Sequence, residues 1–310
     1  MPYQEPPRRR EAELLPDPFW AADQAALRGQ DSALYWYRWQ LGLTLLAALF
    51  GVFPAHRVDG VNIVPLLSVA SFAGAGGFAL ALHRLSPQEL WYQGRSAAES
   101  LKTLTWKYLV QARPFDGPAQ SPLADRRFLE ALRDVPRSYP GIGTSIGTAT
   151  GPDGPQITQR MRDERRKPLQ QRRQLYLTER VYAQRTWYLS RADECDHKSQ
   201  VWALWTVLMF VTGIAVAVAE ATSYPSAHVL GLFSTGAATV TAWAQLKQFR
   251  PLAAAYRLAA RELDRISALL ARIDLGAKDA EEAWSRLAGE AEDTISREHI
   301  IWRARSQHRT

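Results

Sequence analysis

Four long stretches without a charged side chain constrain this sequence more than any other feature. They are residues 39–56, 60–83, 199–219 and 221–246, of 18, 24, 21 and 26 residues, and none contains Asp, Glu, Lys or Arg. A helix that crosses the hydrocarbon core of a bilayer needs about 20 mainly apolar residues. The sequence therefore predicts an all-α integral membrane protein with two transmembrane helical hairpins, which give four spans. The alternative is a soluble helical protein with four buried helices.

The positive charges predict how these spans are oriented. Of the 38 Lys and Arg residues, 5 lie in residues 1–38, 20 in residues 84–198 and 12 in residues 247–310, which leaves Arg57 between the first two stretches. Cytoplasmic segments of membrane proteins are enriched in Lys and Arg. We therefore expect a multi-pass protein of the cytoplasmic (inner) membrane, with both termini and long helices of the middle region in the cytoplasm.

The chain repeats one plan, which indicates an internal duplication. Each half has a polar and aromatic lead-in segment, two apolar stretches and a long polar helix that begins near a proline, Pro87 or Pro251. We expect a disordered N-terminal tail at residues 1–30 and a first two-span domain at 31–115. A linker with a short helix follows at 116–168, and a second two-span domain occupies 169–310.

The polar helix after the fourth stretch carries a heptad-like apolar stripe. Its spacing alternates between four and three residues, as in a coiled coil; its members are Leu252, Tyr256, Ala259, Leu263, Ile266, Leu270 and Ile273. The stripe either packs within one protomer or joins copies into a homo-oligomer.

Small and hydroxyl residues recur inside the second and fourth stretches. The candidates are Ser71, Gly74 and Gly77, and Gly231, Thr235 and Thr239. Small residues four apart let helix backbones approach closely in lipid, which is one interpretation. The other is that these residues line a pore once copies assemble. The glycines at 74, 76 and 77 do not form a phosphate loop, because a phosphate there would be surrounded by hydrocarbon.

No motif for catalysis or for cofactor binding is present in the sequence. The six His residues are scattered without metal-ligand spacing. The Gly-rich linker lacks the preceding strand and the Lys-Ser or Lys-Thr pair of a P-loop. We therefore expect no enzyme activity, no cofactor, no metal and no nucleic-acid partner.

Residues 176–192, YLTERVYAQRTWYLSRA, form the most specific segment. Its polar and aromatic side chains recur three or four residues apart, so they share one helical face; they are Tyr176, Arg180, Gln184, Trp187 and Arg191. Such a face predicts a semi-buried polar contact, with Glu99 or Glu262 on an exit helix as the partner of Arg180. A site for a regulatory ligand is the alternative.

The same segment resembles the signature of the SLATT superfamily, the SMODS- and SLOG-associating two-TM effector domains. The matching residues are Tyr176, Arg180, Gln184, Trp187 and Tyr188. Residues 157–165 and 293–304 continue this resemblance, and residues 94–108 with 114–115 resemble a sister domain, so that two tandem copies cover nearly the whole chain.

The resemblance implies a membrane effector of a bacterial conflict or antiviral defence system, which oligomerises and forms a pore or disrupts the membrane on activation. Its partners would be the lipid bilayer, further copies of the chain, and a cytoplasmic sensor or a nucleotide signal made by another protein. The alternative is a non-conducting membrane anchor or scaffold that recruits a cytoplasmic partner.

Overall fold

The computed structural model describes residues 9–54, 56–58, 61–118, 120–143, 146–147, 156–222 and 229–307, and the side chains of residues 297–307 fall outside this description. These ranges are almost entirely helical, which confirms the all-α class. Within them the strands are β1 (Arg57–Val58) and β2 (Val61–Asn62), an antiparallel pair in which Arg57 lies opposite Asn62. Glu298, His299 and Trp302, which contribute to the family resemblance, are therefore not described at the level of side chains.

The helices follow one another with short connections. In chain order they are α1 (Arg9–Ala12), α2 (Asp17–Phe50), α3 (Ile63–Leu85), α4 (Pro87–Leu109), α5 (Pro122–Ser138), α6 (Gln159–Arg165), α7 (Leu169–Leu175), a π-helix (Tyr176–Tyr182), α8 (Ala183–Thr222), α9 (Leu230–Lys247), α10 (Phe249–Ala271) and α11 (Ala280–Gln307).

Two apolar helices end in the same way, one in each half of the sequence. Helix α3 ends at Ser86, which has φ 40°, and α9 ends at Gln248, which has φ 48°. A left-handed residue closes a helix by satisfying one of its last carbonyls, and the N–H groups of Ser86 and Gln248 donate to Leu82 and Ala244. Pro87 then opens α4 at a position where its missing N–H costs nothing. The shared ending agrees with the repeated plan of the sequence.

The chain forms two compact units, and each unit takes residues from both halves of the sequence. The first, here called the apolar unit, contains Asp31–Pro87 and Arg191–Ala255. The second, here called the polar-core unit, contains Tyr3–Gln30, Gln88–Ser190 and Tyr256–Thr310. The units therefore differ from the tandem halves that sequence order predicts.

In the described residues, two helical segments are long and apolar enough to cross a membrane, Ile63–Leu109 and Leu169–Thr222. The most apolar window of the second segment has no buried residue, and that of the first is 11% buried. A core helix of a soluble protein would bury its apolar residues, so this exposure favours a lipid environment over the soluble alternative. The four-span arrangement remains a prediction, and the turn predicted near residues 220–226 lies largely outside the described residues.

The segment predicted to be a disordered tail is different in the structure. Residues 9–12 and 17–30 are helical, and Leu14, Phe19 and Ala22 are buried in the polar-core unit. Composition predicted disorder because residues 1–10 are rich in Arg and Pro, but the apolar residues that follow gain more from burial than the chain loses in entropy. The linker also holds more helix than expected, since α5 and α6 both lie in residues 116–168.

Most of the heptad-like stripe of α10 is buried within the chain, while Ala259 and Ile273 are partly exposed and Ile273 lies beyond the end of the helix. In the polar-core unit its members Tyr256, Leu263, Ile266 and Leu270 are each at most 6% exposed. This burial favours packing inside the protomer, the first of the two interpretations that the sequence left open.

Candidate functional site

The signature segment folds as a π-helix, Tyr176–Tyr182, that leads directly into the 40-residue helix α8. Turns with hydrogen bonds from residue i to i+5 are rare and occur frequently at functional sites. Tyr176, Leu177, Arg180 and Val181 are buried here. The widened helix therefore directs two polar side chains, Tyr176 and Arg180, into the core of the polar-core unit.

Both of these side chains bind the same carboxylate, that of Glu292 on α11. Arg180 donates from Nε to Oε1 and from Nη2 to Oε2, each at 3.0 Å, and the Tyr176 hydroxyl donates to Oε1 at 2.8 Å. Arg180 is 1% exposed and Glu292 is fully buried. Two parallel charge-assisted bonds fix the geometry of an arginine–carboxylate pair. Loss of one partner of such a buried pair costs about 3–5 kcal/mol, since the other charge stays buried alone.

Arg180 binds Glu292, and the two expected candidates, Glu99 and Glu262, each pair with another arginine, although the charge of Glu99 also raises the pKa of Arg180. Glu99 pairs with Arg95 at 3.7 Å, and Glu262 pairs with Arg265 at 3.7 Å. Glu292 was missed because it lies far along the chain, yet a signal was present. Trp284, Ala288, Ala291 and Ile295 form an apolar stripe on α11, and Glu292 lies on that stripe. A carboxylate on an apolar stripe indicates a buried cationic partner.

The environment of Glu292 shifts the pKa values of its partners. Burial by itself lowers the pKa of Arg180, but the charge and hydrogen bonds of Glu292 raise it above its ordinary value. Burial, followed by the charge of Glu292, raises the pKa of Tyr176 well above its usual range. Arg180 therefore stays charged and Tyr176 stays neutral at physiological pH.

The remaining signature residues form a second contact one turn further along. Gln184 Nε2 donates to the Tyr188 hydroxyl at 2.8 Å, and the Tyr188 ring stacks on Tyr256 with centroids 5.8 Å apart. Trp187 meets Tyr256 edge-on at 5.6 Å. Burial and the charge of Glu99 raise the pKa of Tyr188, which places Glu99 near this contact. The five signature residues thus join α11 and α10 to one helix.

A buried polar network extends from this site to the N-terminal segment. Glu11 accepts from Trp106 Nε1 at 2.9 Å and pairs with Lys102 at 3.0 Å, and all three side chains are buried. The Trp106 ring contacts Tyr176 edge-on at 5.9 Å. Apart from its position near Leu14 and Leu15, nothing in the sequence indicated a role for Glu11.

Two further buried arginines close the C-terminal end of α4. Arg165 donates to the carbonyl of Tyr108 at 2.5 Å and to that of Phe115 at 2.7 Å. Arg172 donates to the carbonyl of Val110 at 2.8 Å and pairs with Glu281 at 2.7 Å. Positive charge is favourable at a helix C-terminus, where carbonyls lack intrahelical partners. The basic segment at residues 160–173 therefore contains structural arginines.

Some of the small and hydroxyl residues singled out inside the predicted spans pack against other protein atoms, and others face open space. Ser71 is buried and donates to its own helix at Leu67, and a Cβ on Gly74 would lie 3.0 Å from Leu43 of α2. A Cβ on Gly77 or on Gly231 would meet no atom within 4 Å. The Thr235 hydroxyl donates to the carbonyl of Gly231 at 2.9 Å, and Thr239 lies one turn further along α9. Packing thus accounts for Ser71 and Gly74, while Gly77 and Gly231 remain accessible to lipid or another helix.

A groove of about 620 Å³ lies between α8 and α9 in the apolar unit. Small and hydroxyl side chains, among them Gly213, Ala217 and Ser234, line it together with large apolar ones such as Phe210 and Phe233. Thr235 and Thr239 are not part of its lining. Among the described residues, no three His, Cys, Asp or Glu side chains are grouped to hold a metal ion.

The exposed apolar helices indicate a helical membrane protein. Residues 16–173 match the SMODS and SLOG-associating 2TM effector domain 3, and residues 176–302 match the SMODS and SLOG-associating 2TM effector domain 1. The chain belongs to this SLATT superfamily, with two tandem domains, as the resemblance implied. Neither the curated proteins nor the solved structures gave a match.

Proposed function

We propose that this protein is a membrane effector of a bacterial conflict or antiviral defence system that oligomerises and opens a pore, or otherwise disrupts the cytoplasmic membrane, when activated. Its two SLATT domains are effector domains associated with such systems. In the proposed topology four spans cross the membrane and both termini lie in the cytoplasm. The hairpin turns hold only one Lys or Arg, Arg57, while residues 84–198 hold 20, and this asymmetry supports the orientation.

One observation carries the proposal: the signature π-helix and the most exposed apolar segment belong to one continuous run of helix. The π-helix ends at Tyr182, and α8 runs from Ala183 to Thr222 without a break. Its apolar part includes Leu204, Ile214 and Val218, which are 69, 65 and 59% exposed. A helix transmits rotation or translation along its axis, so a change at the Arg180–Glu292 pair would reach the span directly.

The described surfaces also support a mode of assembly. Most of the α10 stripe is buried, so copies would associate through the spans, where Gly77, Gly231 and the groove between α8 and α9 offer small residues for close helix contact. The hydroxyls of Thr235 and Thr239 would then lie near the conducting path. The scaffold alternative, in which α10 recruits a cytoplasmic partner, is less favoured because most of the α10 stripe is buried within the protomer.

The activating signal would come from outside the chain. The sequence carries no motif for synthesis or sensing of nucleotides, so a cytoplasmic sensor or a nucleotide made by another protein would act on the polar-core unit. The π-helix is the natural place for this coupling, because any ligand or partner that changes the Glu292 contacts changes the start of α8.

The proposal is tested by controlled expression in bacteria during phage infection, with a dye that reports membrane potential. The wild-type protein should depolarise the membrane, and Thr235→Leu with Thr239→Leu should reduce the effect. Thr212→Leu is the matched control, since its hydroxyl likewise donates to its own helix, at Leu208. If the membrane keeps its potential under every infection or stress condition, the pore proposal is wrong. If the Thr235→Leu/Thr239→Leu variant still protects the bacteria fully against phage without depolarising the membrane, a scaffold is favoured.

A further inference from the structure

Aromatic rings link all four apolar helices of the apolar unit at one level. Between α2 and α3, the Trp39 ring stacks on Phe78 with centroids 6.1 Å apart. Between α8 and α9, the Trp202 ring lies 6.4 Å from the Trp243 ring. The Arg38 guanidinium of α2 lies 5.9 Å from the centroid of Trp243, a cation–π contact that joins the two pairs of helices. These contacts bring one level of each helix together.

This level coincides with one end of every charge-free stretch. Trp39 is the first residue of the first stretch, and Phe78 lies five residues before the end of the second. Trp202 is the fourth residue of the third stretch, and Trp243 is the fourth from the end of the last. At a rise of about 1.5 Å per residue, each ring therefore lies within about 8 Å, along its helix, of the boundary between apolar and polar sequence.

The tryptophans of the charge-free stretches are confined to these ends. The stretches contain four, Trp39, Trp202, Trp205 and Trp243, and each is among the seven residues nearest the end where the rings meet. The opposite ends, which lead into the two hairpin turns, contain no tryptophan. Aromatic belts usually mark both interfaces of a membrane, so this distribution distinguishes one side of the apolar unit from the other.

Several of the rings at this level present a large exposed surface. Trp39 is 49% exposed and Trp205 is 50% exposed, and Tyr35, one turn before Trp39, is 52% exposed. Water would leave the apolar bodies of these rings unburied, and deep hydrocarbon would leave their N–H and O–H groups without acceptors. The layer between hydrocarbon and lipid headgroups satisfies both parts of each ring.

We propose that these aromatic residues form a one-sided interfacial belt, which binds the headgroup layer of one membrane leaflet and holds both helical hairpins at a common depth. The members of the belt are Tyr35, Trp39, Phe78, Trp202, Trp205 and Trp243. The proposal rests on the four-span topology of the proposed function, which makes this leaflet the cytoplasmic one, and it does not require the spans to conduct.

The depth of spin labels in lipid vesicles tests the belt. In full-length protein with Cys195→Ser, Trp39→Cys and Trp205→Cys each carry a nitroxide on a different hairpin, and its collisions with oxygen and with a water-soluble nickel complex measure its depth. Both labels should lie in the headgroup layer, within about 5 Å of each other, one helical turn. Ile214→Cys is the control: it is 65% exposed and lies nine residues beyond Trp205, so its label should be about 13 Å deeper.

A maleimide that cannot cross the membrane tests whether the belt lies on one side. Trp39→Cys and Trp205→Cys should both react in inside-out membrane vesicles and not in intact cells. Reaction from opposite sides, a depth equal to that of Ile214→Cys, or the water accessibility of Arg137→Cys, whose native side chain is 81% exposed, overturns the proposal. Reaction of both cysteines only in intact cells supports the belt and shows that the proposed cytoplasmic orientation is wrong.

The native protein provides a second measurement if the labelled variants cannot be purified. Lipids brominated near the ester carbonyls should quench its tryptophan fluorescence more strongly than lipids brominated in the middle of the acyl chains. Trp106 and Trp284 are fully buried in the polar-core unit, so they contribute to the emission and little to the difference. Equal or stronger quenching by the mid-chain bromines overturns the proposal.

Discussion

Replacement of Glu292 by Gln tests the buried charge pair at the start of α8. The substitution keeps the shape of the side chain and removes its charge, which leaves the Arg180 guanidinium buried at 1% exposure without a counter-ion. Removal of one member of a buried pair costs about 3–5 kcal/mol. For a unit of roughly 200 residues, each kcal/mol lowers the melting temperature by about 2–4 °C, so Glu292→Gln should lower it by about 6–20 °C.

Thermal unfolding of the full-length protein in detergent, followed by tryptophan fluorescence, measures this effect. Trp106 and Trp284 each contact the Tyr176 ring at 5.9 Å, so both report on the site. Asp134→Asn is the control, because its pair with Arg137 is exposed and contributes at most about 1 kcal/mol.

A second variant separates charge burial from general damage to the core. Replacement of both partners, Arg180→Met with Glu292→Met, should recover much of the lost stability, since an apolar pair does not require compensation of charge. A melting temperature for Glu292→Gln within about 2 °C of wild type would refute the reasoning, because an uncompensated buried guanidinium should cost about 3–5 kcal/mol of stability.

Two further predictions concern the polar-core unit and use the same melting assay. Gly94→Ala should lower the melting temperature, because its Cβ would lie 2.5 Å from the backbone nitrogen of Ala26, an overlap that costs about 1–3 kcal/mol. Gly77→Ala, with no atom within 4 Å of the new Cβ, should change little, and equal losses in both variants would contradict the close α2–α4 contact. Stability should also fall above about pH 10, where the unfolded chain releases tyrosine protons that folded Tyr176 and Tyr188 retain because their pKa values are raised. Below that pH both states hold the protons and these groups cause no change; Tyr176→Phe should make the alkaline loss shallower, and an unchanged slope would count against the raised pKa.

The sequence was sufficient to predict the features that depend on local composition. Charge-free stretches predict apolar helices wherever they occur, and Pro87 correctly indicated the break between α3 and α4. The signature residues Tyr176, Arg180 and Gln184 were recognised because their spacing places them on one helical face, and the family match confirms the superfamily.

The partner of Arg180 could not be chosen in the same way. Glu99, Glu262 and Glu292 are all acidic residues on long helices, and local spacing does not rank them. The choice depends on which helix lies opposite the π-helix, and that is decided by packing around Trp106 and Trp284, which are both fully buried. The π-helix itself also depends on these tertiary contacts, since intrinsic propensity favours an ordinary α-helix for the same residues.

The network from Glu11 to Glu292 has a consequence for the order in which the protein is made. Glu11 binds Lys102 and Trp106, Trp106 contacts Tyr176, and Tyr176 binds Glu292, so the first and last described helices belong to one core. Translation supplies these residues from the N-terminus onward, and domains generally fold as units during synthesis. The polar-core unit therefore cannot close until α11 has left the ribosome, by which time every apolar stretch has already been synthesised. A chain interrupted before Glu292 would carry the spans but lack the counter-ion of Arg180, so synthesis of α11 is the step that completes this core.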